Sequence, residues 1–239
     1  MKALYVAKRD LVSYLHGMWG WVIITAILIL DGLLFNLLAL TEGERLSHEV
    51  LEQFFFNTTG ATIAAAVLLT MRSFAEEKQT GTDVILETSP ISDGQIVFGK
   101  WLAAMGMLTL LTLLTAYMPA LIFVNGKVAI GHIVVGYIGM LSVAGATAAL
   151  GIFASSLVRS QVVAGVIGAA LTVVLLITWY LARQTEPPFT GVIEGMALFE
   201  NFMPFLEGRL LTSKLVYYAS VAFGALFLTT RMLETRRWK

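Results

Sequence analysis

Six apolar blocks, each about as long as a bilayer crossing, leave this chain of 239 residues few ways to fold. They run at about residues 20–40, 54–74, 101–124, 132–157, 162–182 and 215–233. A helix needs roughly 20 apolar residues to cross the hydrocarbon. Its backbone groups find no water there, so each block must satisfy its own hydrogen bonds as a helix. The expected fold class is all-α: a polytopic membrane protein with six transmembrane helices in a single domain, residues 1–239. Charged residues make up 13% of the chain, against about 25% in soluble domains. Sixteen basic residues balance sixteen acidic ones, so no global field points to nucleic acid. There is no cysteine, which excludes disulfides, thiolate catalysis and cysteine-ligated metals.

The polar segments between the blocks carry the remaining information. In residues 1–18, Leu4, Ala7, Leu11, Leu15 and Met18 recur at helical spacing, with Lys8, Arg9, Asp10 and Ser13 on other faces. That pattern predicts an amphipathic helix lying in the membrane interface, with a bend offered by Gly17 and Gly20. The alternative is a plain cytoplasmic start to a long first span. Lys8 and Arg9 precede a full-length span without a small-residue cleavage site, so that span is expected to act as the membrane signal. With both termini inside, the inner segments hold eleven basic residues and the outer segments five, together the sixteen of the chain. The excess places the termini and residues 75–100 in the cytoplasm and residues 183–214 outside. In that outer segment Val192, Ile193, Met196, Phe199, Phe202, Met203 and Leu206 step by three and four. An extracytoplasmic amphipathic helix is expected there, resting on the leaflet or dipping between spans 5 and 6.

Few residues inside the spans bear chemistry. Asp31 lies near the middle of the first span, where a carboxylate is costly and marks a functional candidate. It is a candidate for the substrate path or for carrying a proton. The plainer reading is a structural hydrogen bond, made while protonated. Asn36 and Asn57 are further substrate-path candidates, better suited to bonds across helices. His16, His48 and His132 are scattered, and no metal-ligand spacing occurs. There is no G-x-x-x-x-G-K-[ST] loop, since Gly99-Lys100 lacks its flanking residues. The chain therefore has no nucleotide site of that kind. Gly136, Gly139, Ala144, Ala148 and Gly151, with Gly165, Gly168 and Ala169, permit close helix packing.

The polar island Arg72–Lys100, RSFAEEKQTGTDVILETSPISDGQIVFGK, is too organised for a linker. Glu76 and Glu77 follow the second span on a helical extension that Gly81 can end. Thr82 is suited to cap a second short helix with Asp83 in its first turn. Val84–Leu86 form an apolar run that Ser89-Pro90 stops. An element acidic on one side and apolar on another suits a groove on a soluble partner. The stretch EEKQTGTDVILETSPISDGQIVFGKWLA resembles the first cytoplasmic loop of ABC transporter permeases of the type-2 exporter class. The ending FLEGRLLTSKLVYYASVAFGALFLTTRMLETRRWK is similar to the same class. The likeness is nearest to bacterial permeases named for gliding motility and for nitrous-oxide-reductase maturation.

The resemblance implies a permease subunit in the bacterial cytoplasmic membrane. It would pair with a second permease, identical or related, and with two ABC ATPase subunits that bind ATP and Mg. The chain itself would bind no cofactor and would not be an enzyme. Residues 75–100 would hold the coupling helix, with Glu76, Glu77, Lys78, Gly81, Thr82, Asp83 and Leu86 at the ATPase contact. The N-terminal helix would be the connecting helix, and the outer helix a lid. Two other readings stand beside this one: an ion-coupled secondary transporter using Asp31, and a non-transporting membrane anchor for a mechanical ATPase complex.

Overall fold

The computed structural model describes residues 2–40, 47–82, 91–125, 129–184 and 195–237. These are helical, and no strand occurs among them. The helices are α1 (Lys2–His16), α2 (Met18–Leu34), α3 (Ser47–Thr70), α4 (Ala75–Thr80), α5 (Asp93–Leu114), α6 (Tyr117–Asn125), α7 (Ile130–Leu157), α8 (Gln161–Gln184), α9 (Met203–Leu206) and α10 (Thr212–Arg237). A π-helix, Phe35–Leu40, continues α2. Six stretches are long and apolar enough to cross a membrane: Met18–Leu37, His48–Thr80, Asp93–Val124, Ile130–Leu157, Gln161–Leu181 and Thr212–Thr235.

Helix α7 is the hub, packed by α3, α5, α8 and α10. Its small residues make this possible, because bare backbone lets neighbours approach closely. Gly136, Gly139, Ala144, Ala148 and Gly151 are all buried. Gly139 touches the ring pair Phe202 and Phe205, and Gly151 touches Thr70. On α8, Gly168 meets Gly151 and Ala154, whereas Ala169 is exposed. One half of the core gathers Ile24, Ile27, Ala61, Ala65, Met107 and Leu108. The other half is aromatic, with Phe35, Phe54, Phe55, Phe202, Phe205 and Tyr218.

The third span is broken at Thr115–Ala116, between α5 and α6. Pro119 explains the position: it has no N–H to donate to the carbonyl four residues back, and its ring crowds that carbonyl. The freed Thr115 carbonyl instead accepts from the Met118 N–H at 3.0 Å.

Two flanking segments differ from the sequence pattern. Helix α1 buries Val6 and Ala7 and turns Asp10, Leu11, Tyr14 and Leu15 inward, while Leu4 is 63% and Met18 83% exposed. The buried face is rotated from the expected one because α1 runs alongside α5, Val6 against Gly99 and Leu11 against Gly106. The outer segment is described from Gly195. Residues 195–196 and the turn α9 are helical there, and the described part is folded inward, as in the dipping alternative: Ala197, Leu198, Asn201, Phe202, Phe205 and Leu206 are buried. Tyr218 donates to the Leu198 carbonyl at 2.8 Å, and His132 bonds the Leu206 carbonyl. Gly208, at φ 73°, turns the chain back toward α10 against the His132 ring.

Candidate functional site

The polar island begins as an elbow. Helix α3 ends at Thr70, residues 71–74 turn, and α4 carries Ala75–Thr80. Such a turn strands backbone groups, and α7 satisfies them. The Ser155 hydroxyl accepts from the N–H groups of Phe74 and Ala75, both at 3.0 Å, and donates to the Met71 carbonyl at 2.9 Å. The Lys78 ammonium donates to the Ser156 carbonyl. Gly81, at φ 71°, closes α4, with its own N–H and that of Thr82 on the Glu77 carbonyl.

Beneath the elbow, Lys100 is the centre of a charge cluster. It is 2% exposed, yet every ammonium direction is filled. Lys100 donates to the Ser73 carbonyl at 2.7 Å, to Glu77 Oε1 at 2.8 Å and to Asp10 Oδ2 at 3.2 Å. Its Nζ also stands 4.9 Å from the Phe74 ring centre. Arg9 bridges Asp10 at 2.8 Å and Glu77 at 2.9 Å. Partial burial works against the Arg9 charge, but the two carboxylates outweigh it and its pKa is raised. Arg72 holds Glu76 through Nε at 2.9 Å and lies over the Trp19 ring. Tyr14 points at the Leu69 carbonyl and the Ser73 hydroxyl. Burial pushes its phenol up to about 12, which keeps it neutral.

Three cations and three carboxylates thus balance around a cavity of about 430 Å³. The arrangement ties α1, the elbow and α5 into one unit. It offers no nucleophile with a base, and the described residues include no group suited to a metal ion.

The sequence-derived site residues fall into distinct places. Glu77 faces inward, 18% exposed and bound by two cations, whereas Glu76 is 40% exposed. Lys78 is committed to α7. The exposed tip of the elbow is Gln79, Thr80, Gly81 and Thr82. Asp83 and Leu86 lie outside the described residues. Asp31 is 2% exposed and its carboxylate bonds neither asparagine. Asn36 is on an exposed face, and Asn57 accepts from Gln53 on its own helix at 3.4 Å rather than across helices. The sequence pattern did not single out Lys100 with its partners Asp10 and Ser73, nor Ser155 and Ser156 beneath the elbow. The one available clue was the Ser155-Ser156 pair at the end of an otherwise small and apolar span.

Residues 22–207 match the family described as ABC-2 family transporter protein. The chain belongs to this family. No curated protein matches it in sequence. As an ABC-2 family transporter protein, it is a multi-pass membrane permease subunit. It partners an ABC ATPase subunit and is not that ATPase itself. The matched range holds the elbow and Lys100, while Arg9, Asp10 and Tyr14 on α1 precede it.

Proposed function

We propose that this permease converts ATPase motion into export, with the elbow as the coupling element. Two permease subunits, identical or related, pair with two ATPase subunits in a bacterial cytoplasmic membrane. Both termini and the elbow are cytoplasmic, and ATP and Mg are bound by the partner. The observation that carries the reading is an exposed tip, Gln79–Thr82, on a base fixed to the bundle by Ser155 and Lys100. A push on such a tip reaches α7, α5 and α1 together, because packed elements move as units rather than deform. Glu76 and the tip form the contact surface, continued by Asp83 and Leu86. Glu77 and Lys78 hold the tip in place. Asp31, Asn36 and Asn57 are the substrate-path candidates, with Asp31 nearest the middle of its span.

The chain's lack of cysteine makes the test direct. Thr82→Cys, purified from native membranes in mild detergent, is expected to cross-link to a co-purifying soluble ATPase. Wild type should bring that ATPase down in equal amount. A chain recovered only with itself across several detergents, and active under an ion gradient alone, would replace this reading with a secondary transporter.

A further inference from the structure

Asp31 is the one acidic side chain of the α2 span, and the described surroundings leave it alone. It is 2% exposed, and neither carboxylate oxygen has a hydrogen-bond partner. No lysine, arginine or histidine forms an ion pair with it among the described residues.

Its place in the fold is as unusual as its chemistry. Two helices lose regularity beside it. Helix α2 becomes a π-helix four residues later, with the Phe35 N–H shared between the Asp31 and Gly32 carbonyls. The α5–α6 break comes from the other side, bringing the Tyr117 hydroxyl and Met118 toward Gly32. At that break, Thr115 shares a hydrogen bond with Tyr137 at 3.2 Å, and Tyr137 is an electrostatic neighbour of Asp31. Helix α3 contributes Thr58 and Thr62, buried on the side where Ala61 and Ala65 join the core with Ile24 and Ile27. Among the described residues, the ionisable groups of this stretch are the phenols of Tyr137, an electrostatic neighbour of Asp31, and Tyr117, beside Gly32, and no cation pairs with Asp31.

An ionised carboxylate in such a site is cut off from bulk solvent, has no countercharge among the described residues and is not sustainable. A metal cation would need several oxygens already gathered around it, and the Asp31 oxygens reach none. A proton needs no cage. We propose that Asp31 is a mid-membrane proton-binding site, occupied in the packed conformation described here. The π-helix and the proline break flank it with helix segments that already depart from α geometry, and π-segments recur at functional positions. Parting them admits water and releases the proton, so acid holds the bundle closed. This inference goes beyond the permease reading and does not depend on the ATPase.

Infrared spectroscopy of the full chain in lipid nanodiscs, without ATPase and in sodium-free buffer, tests it. Wild type minus Asp31→Asn should contain the carbonyl stretch of a neutral carboxylic acid at pH 7, lost as pH rises. Carbon-13 aspartate in wild type should shift that band, which secures the result even where the variant folds poorly. Of the other three aspartates, Asp10 and Asp83 lie outside the spans and Asp93 is the first residue of the third, so Asp31 alone is at mid-span. Absence of an aspartate-derived neutral-acid band at pH 7 would overturn the proposal. Loss of the band on adding sodium at fixed pH would also overturn it, by assigning the site to a metal cation.

Discussion

Lys100 shows how a charge can sit at the edge of a membrane bundle at little cost. Burying an ammonium is expensive unless its protons and its charge are both matched. Here a carbonyl and two carboxylates do the matching, and an aromatic ring fills the remaining side. Lys100→Met fits the hydrocarbon stem but leaves Asp10 and Glu77 without their shared cation. Removing one partner of a fully buried pair costs about 3–5 kcal/mol. These carboxylates keep 15% and 18% of their exposure, so a loss of about 2 kcal/mol is expected here, after that discount. Unfolding of the purified chain in mixed micelles measures it. A change within about 0.5 kcal/mol of wild type would mean that the cluster is held by packing alone.

At the scale of elements, the six spans were legible because a bilayer imposes length and apolarity on each one separately. The break before Pro119 also follows from a local rule, since proline lacks the N–H that a continuous helix needs there. What one segment could not reveal was its neighbour. The repeat Leu4, Ala7, Leu11 gave α1 an apolar stripe, but α5 selected a face that includes Asp10. Glu77 looked like docking charge because Lys100, 23 positions later, carries no mark of being its partner. Ser155 is the same kind of case, a hydroxyl whose role exists only once the elbow lies on it. Its substitution is the sharpest test of the elbow as a rigid base. Ser155→Ala strands two N–H groups and one carbonyl in a dry site. Each unsatisfied buried group costs about 1–3 kcal/mol, although local shifts recover part of this. Amide exchange across residues 74–78 should therefore accelerate at least about tenfold, the equivalent of 1.4 kcal/mol. Exchange in the α7 core should stay unchanged. Equal acceleration in both places would mean that Ser155 supports the whole bundle and not the elbow.

The whole molecule has two unlike ends, joined by α7. At one end the charge cluster and the elbow surround Ser155 and Ser156. At the other, Phe202 and Phe205 seat on Gly139, and Gly208 turns against His132. A 28-residue helix at 1.5 Å per residue is about 42 Å long. That exceeds a hydrocarbon core of about 30 Å, so both ends reach the headgroups. Trp19 and Trp21, exposed at the start of α2, mark the elbow-side boundary as aromatic belts do. Basic residues then choose the direction. The elbow end carries Arg9, Arg72, Lys78, Arg159 and Arg231, while Arg209 and Lys214 lie at the opposite end, Arg209 paired with Glu207 and Lys214 donating to Asn201. The proposed cytoplasmic elbow rests on the retention of positive loops on that side. In a chain without cysteine, Gln79→Cys should react with a membrane-impermeant maleimide only in inverted vesicles. Glu207→Cys should react only in intact cells stripped of their outer layer. The reverse pattern would put the elbow outside, out of reach of any cytoplasmic ATPase, and with it would go the mechanism proposed for Gln79–Thr82.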